Sequence, residues 1–154
     1  MLLQSAARKV LDALRSTLED IPEVSGTVFI DRSEDEPFGN AEVPALNVKL
    51  ITVSYSAFDH AHDQHDAVID IDVVTDSRNL SIGADQADLA ATAVTVLWAD
   101  RYLGGRVQIM RFESLAGDAG QGTEMGAAPL RLRLKYLTPV GDHFTIVGQT
   151  GLTF

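Results

Sequence analysis

Two stretches of the chain alternate apolar and charged residues with a period of two. In the first, Asp66 to Asp76, residues Ile69, Ile71 and Val73 share one parity while Asp70, Asp72 and Asp76 share the other. In the second, Leu130 to Tyr136, residues Leu130, Leu132, Leu134 and Tyr136 alternate with Arg131, Arg133 and Lys135. Successive strand side chains point to opposite faces, so each stretch predicts a half-buried strand, charged acidic on its outer side in the first case and basic in the second. As neighbours in one sheet, opposite charges across the pair would contribute roughly 0.2 to 1 kcal/mol each. The expectation is an internal pairing that sets register; the sharper alternative is that part of a charged face meets another subunit.

Around these strands the pattern changes period. Leu3, Ala7, Val10, Leu14, Leu18 and Ile21 recur every three or four residues, predicting an amphipathic helix that ends near Pro22. Thr27 to Ile30 reads as a short strand, Asp31 to Asn40 as an exposed acidic loop with Pro37 and Gly39, and Pro44 to Val53 as a further strand. The polar stretch Ala57 to His65 is consistent with a hairpin connection into the acidic-faced strand. A second helix is expected after Asp85 as N-cap, with Leu89, Ala93, Val96 and Leu97 at helical spacing, Trp98 and Tyr102 anchoring its packing, and Gly104 and Gly105 as its stop. Arg106 to Leu115 predicts a strand with Val107, Ile109 and Arg111 opposed to Gln108, Met110 and Phe112. Ala116 to Pro129 is Gly-rich and polar, and reads as a mobile loop. After Leu137 a turn containing Pro139 and Gly141 leads to a final short strand or extended arm through Phe144, Ile146 and Val147. No repeat or linker interrupts the order, so residues 1–154 read as a single domain.

Composition narrows the function classes. A chain of 154 residues can bury roughly 70% of its unfolded surface. It has no cysteine, which excludes disulfide frameworks, thiolate metal sites and cysteine nucleophiles. Met1 to Val10 lacks the apolar core of a signal peptide, and no run approaches the ~18 apolar residues of a membrane span, so the expectation is a soluble protein made in the cytoplasm. The formal net charge of −10 opposes tight binding of a polyanion, which relies on clustered Lys and Arg. An acidic surface is nevertheless suited to lining a channel through which DNA passes without adhering.

Chemistry-bearing motifs are sparse. Asp59, His60, His62, Asp63, His65 and Asp66 contain ligand types for divalent metals, but in an extended strand His62 and His65 take opposite faces and no partner histidine completes a known spacing. A solvated turn is the expected reading, with a small metal-dependent enzyme using His60 and His62 as the alternative from another class. Gly117 to Gly126 lacks the GK[ST] ending of a phosphate loop, no G-x-S-x-G elbow occurs, and Asp142-His143 reads as turn chemistry. No cofactor is implied. A third reading is an adaptor that binds another protein by its sheet edge.

The order of elements, with Val43-Pro44-Ala45-Leu46-Asn47-Val48 entering a strand after the first loop and a late strand closing on Leu134-Lys135-Tyr136-Leu137-Thr138, resembles the tail terminator proteins of long-tailed phages and gene transfer agents. The resemblance spans essentially the whole chain through short, degenerate motifs. It implies an α+β fold, a mixed and mainly antiparallel sheet with two main helices on one face, and a structural virion protein without catalysis. By the same resemblance the partners are further copies of the chain in a hexameric ring, the tail tube protein and the head-tail connector, with DNA passing through the lumen and no membrane. The location implied is the head-proximal end of the tail; other head-tail joining or tail-completion proteins share this size and style. The family has no catalytic residues to transfer. The interface candidates come from this sequence alone: Asp35, Glu36 and Phe38 in the first loop, Gly120 and Gln121 in the second, and Asp70, Asp72, Arg131, Arg133 and Lys135 on the charged strand faces.

Overall fold

The computed structural model describes residues 2–33, 36, 38–76, 82–116 and 125–154. Among them are helix α1 (Ala6–Leu18), strands β1 (Val28–Ile30), β2 (Ala45–Ala57) and β3 (His62–Asp76), helix α2 (Ile82–Ala99), and strands β4 (Ile109–Leu115) and β5 (Met125–Pro139). The strands form one sheet in the order β1-β2-β3-β5-β4. Only β1 and β2 run parallel; every other neighbouring pair is antiparallel. Both helices lie on one face, α1 over β1 and β2 and α2 over β3, β5 and β4. This is the α+β arrangement expected.

The two alternating stretches are indeed adjacent. β3 and β5 pair without a bulge from His62↔Pro139 to Asp76↔Met125, which places Ile69, Ile71 and Val73 beside Leu132, Leu130 and Ala128 on the helix-facing side. That side forms a continuous core with Val10, Leu14 and Leu18 of α1 and Ala90, Ala93 and Leu97 of α2. The alanines of α2 allow the helix to approach the sheet closely, as an Ala-rich face should.

Several local expectations require correction. The Ser5 hydroxyl caps α1 by accepting from the Arg8 N–H at 3.1 Å, and the buried stripe is Ala6, Val10, Leu11, Leu14 and Leu18. Leu3 lies before the start of the helix and is exposed, and Ala6 takes the first buried position in place of Ala7. Asp85 lies in the first turn of α2, which begins at Ile82; its carboxylate favours the positive end of the helix dipole without being the cap. Trp98 and Tyr102 are exposed and hold the Arg101 guanidinium, 4.9 and 4.8 Å from their ring centres, so they form a surface cluster in place of a core anchor. α2 stops at Ala99, and the chain turns through Leu103, Gly104 and Gly105, all at positive φ.

Strand parity also departs from simple alternation. On β4 the two opposed sets are resolved: Met110 and Phe112 face inward, while Ile109 and Arg111 face outward. Val107 is buried, yet it lies in the preceding turn, so its burial does not report strand parity. The segment expected as loop through Pro129 is strand from Met125, paired with Asp72 to Asp76 at the end of β3. On β2 the register shifts between Leu50 and Thr52. The extra residue, Ile51, moves the inward set from Leu46, Val48 and Leu50 to Val53 and Tyr55.

Replacing a core residue of the β3–β5 pair should be costly. Leu132→Ala is expected to destabilise by about 2 to 5 kcal/mol, whereas exposed Ile51→Ala should change stability by less than about 0.5 kcal/mol; urea denaturation midpoints at constant slope would measure both.

Candidate assembly surfaces

The side of the sheet away from the helices is open and carries the charged candidates. Asp70 accepts two hydrogen bonds from the Arg131 guanidinium, Nε to Oδ1 at 2.8 Å and Nη2 to Oδ2 at 3.1 Å. The carboxylate in turn holds the Arg131 guanidinium protonated above its ordinary range, mainly through that hydrogen bond and then through its charge. Asp72 is 2.7 Å from Lys49 Nζ on β2. Arg133 is shared between Glu113 on β4, at 2.5 Å, and Asp66 on β3, at 3.7 Å. Lys135 lies opposite Asp66 in the register but forms no ion pair among the described residues. The acidic column of β3 is thus neutralised from both sides, by β2 and by β5, as the internal pairing requires.

The first loop gathers around Arg32, a residue that its sequence pattern alone does not single out. The Arg32 guanidinium sits between the rings of Phe29 and Phe38, 4.7 and 4.3 Å from their centres, and these rings meet edge-on at 5.6 Å. Its Nη2 donates to Glu42 at 3.1 Å, and Glu36 approaches Nε at 4.0 Å. The Arg32 hydrogen bond, aided by the Gly39 N–H, pushes the Glu42 carboxyl down to about 2. The Asn47 side chain completes the clasp, accepting from the Arg32 N–H and donating to its carbonyl, both at 3.0 Å. Glu36 and Phe38 therefore belong to one built cluster, bordering a cleft of about 410 Å³ that also involves Arg8 and Arg15 of α1. Asp35, Gly120 and Gln121 lie outside the described residues. The signal for Arg32 was present in the sequence as Phe29, Arg32, Phe38 and Glu42, but only the 3-10 turn Asn40–Glu42 brings Glu42 back to the arginine.

The histidine segment divides. His60 lies in the exposed turn between β2 and β3. His62 opens β3, its Nδ1 2.9 and 3.0 Å from the two oxygens of Asp59. His65, expected in a solvated turn, is buried on the helix-facing side. Its Nε2 is 2.8 Å from Thr138 Oγ1, its ring stacks on Tyr136 at 4.8 Å, and Tyr55 and His143 meet it edge-on at 4.7 and 4.6 Å. Burial, with the nearby His143, pushes the His65 pKa down to about 4 despite the opposing pull of Asp63. Burial also raises the Tyr136 hydroxyl above its usual value. No group of three His, Asp or Glu side chains is arranged to hold a metal among the described residues. Asp142 makes the expected turn, its Oδ1 accepting from the N–H groups of Phe144 at 2.9 Å and Thr145 at 3.2 Å.

A neutral, buried His65 makes stability depend on pH with a definite sign. Its folded pKa lies below the unfolded value of about 6.5, so the unfolded chain binds the extra proton between the two values. The contribution is intact above about pH 6.5 and is lost as pH falls towards 4. The difference in urea midpoint between wild type and His65→Phe should therefore shrink from pH 7.5 to pH 4.5, and a constant difference would contradict this account. For the sheet, Arg131→Asp should lower Tm and the exchange Asp70→Arg with Arg131→Asp should recover most of the loss.

No family model matches this chain, and no curated protein matches it in sequence. Among solved structures, a chain from the virion of a native gene transfer agent particle is similar in fold, with a TM-score of 0.55 at 20% identity, the match covering 82% of this chain and 92% of that one.

Proposed function

We propose that this chain is a structural subunit of a phage-like or gene-transfer-agent particle and that within it the chain acts as a tail terminator. Copies assemble into a ring, hexameric in this reading, on the head-proximal end of the tail tube. The ring stops tube growth and presents a docking surface to the head connector. The observation that carries the proposal is the likeness of fold over most of both chains to a component of a gene transfer agent virion. The charged chemistry is compatible with it: Lys49, Arg131 and Arg133 on the open face are engaged by carboxylates within the same sheet, and the net charge of −10 disfavours adhesion to passing DNA. In this reading the ionisable clusters hold the protomer together and perform no catalysis.

Purified protein should form rings with six-fold symmetry by negative-stain electron microscopy, alone or on addition of tail tubes from the same particle, and should bind at one end of those tubes. Duplex DNA should show no shift with the protein on a native gel at about 0.1 M salt, where exposed charges still interact across ~10 Å. A chain that stays monomeric at high concentration and in the presence of tubes overturns the proposal.

A further inference from the structure

Besides the outer edge of the three-residue β1, the sheet leaves two strand edges without a neighbour among the described residues, and they lie on its opposite sides. β1 covers β2 only over Leu46 to Val48, so β2 has no outer partner strand from Thr52 to Ala57. On the other side β4 is outermost. Natural edges are normally guarded by charge, proline or a bulge. β2 carries its bulge at Ile51, but from Thr52 to Ala57 it holds neither a charge nor a proline, in a chain whose residues are 22% charged.

The topology makes these edges complementary. β2 is antiparallel to β3, β3 to β5 and β5 to β4, so β2 and β4 run in opposite directions. Copies related by rotation about an axis along the strands therefore present β4 of one to β2 of the next in the antiparallel sense. Such a contact is head-to-tail, and it closes into a ring when the rotation closes. Charge points the same way. Arg111 is exposed, lies directly opposite Arg133 in its own sheet, and has no ion-pair partner among the described residues. Like charges in that position repel. On the outer face of β2 beyond its bulge stand only the small side chains of Thr52, Ser54 and Ser56, with Asp66, its side chain 28% exposed, directly behind Ser54. The neighbour's Arg111 would lie across the serines towards that carboxylate.

We infer that the partner of the distal β2 edge is β4 of a second copy of this chain, so that the sheet continues from subunit to subunit. This deepens the ring reading above and rests on it for closure. The native chain has no cysteine, which allows a direct test. Ile109→Cys is combined in turn with Thr52→Cys, Ser54→Cys and Ser56→Cys, and each double variant is oxidised. One of the three should give a covalent ladder up to the full ring on a denaturing gel, while the single variants give none. The charged variant Ser54→Lys/Ser56→Lys, altered only at exposed positions, should keep the wild-type Tm and lose its rings. If wild-type rings form but survive these lysines and no double variant cross-links, the edge junction is overturned and the ring stands. A wild-type chain that forms no ring overturns both. Amide protection of β2 that appears only when tube protein is added would assign the edge to that partner instead and also overturns the inference.

Discussion

The register between β3 and β5 is the constraint on which the rest of the structure depends. Both strands are 15 residues long and pair without interruption. A slip of one residue would turn Leu130, Leu132 and Leu134 to the open face and drive Arg131 and Arg133 among Ile69, Ile71 and α2. Side chains in a strand alternate strictly, so no partial slip relieves that penalty. The charges are less selective: a slip of two residues keeps the apolar side inward and, in one direction, sets Asp70 opposite Arg133 and Asp72 opposite Arg131. Apolar alternation selects the face, and the register occupied is the one that pairs both strands over their full length, from His62↔Pro139 to Asp76↔Met125.

Once that pair is set, the two helices have one apolar surface to cover and the other surface must stay polar. The helices cover only part of the sheet's length. Beyond the bulge at Ile51, β2 and the start of β3 extend as an arm whose inward side is covered by the C-terminal segment: Val140 donates from its N–H to the Ala61 carbonyl, and Val147 bridges to Leu137. The aromatic cluster of Tyr55, His65, Tyr136 and His143 fills this junction. His65 and Tyr136 are buried in it, whereas Tyr55 is exposed and His143 half-buried, and it is burial that keeps the His65 imidazole uncharged.

Much of this was legible from residue pattern alone. The two long charged strands and both helices follow from periodicities of two and 3.6, since burial acts on whole faces, whereas the packing of both helices on one side of the sheet was implied only by the resemblance of the whole chain. What periodicity misses is a single inserted residue. Ile51 on β2 and Glu113 on β4 each reverse the parity of the residues after them, and nothing in the local composition marks either as a bulge. His65 was read as part of a polar turn because its neighbours are polar; its burial comes from Tyr136 and Thr138, more than seventy positions away. Of the assembly candidates, Asp70, Asp72, Arg131 and Arg133 are brought together, Glu36 and Phe38 are joined by the unforeseen Arg32, and Lys135 is left without an ion pair among the described residues.

The distribution of perturbed protonation argues for an architectural role of these groups. Strongly shifted ionisable groups gather at catalytic centres when they face a shared cavity with complementary tasks, but structural pairing shifts them as well. Here the shifts have separate and local causes. Glu42 is lowered by the arginine it fastens at the first loop, Arg131 is raised by its strand partner, and His65 and Tyr136 are displaced by burial beneath the C-terminal segment. Each marks a place where a loop, a strand or the arm is secured to the sheet. A protomer built this way holds the carboxylates of β3 in internal pairs and leaves an uncharged stretch of β2, Thr52 to Ala57, at its margin, where strand backbone can be met without displacing any of those pairs.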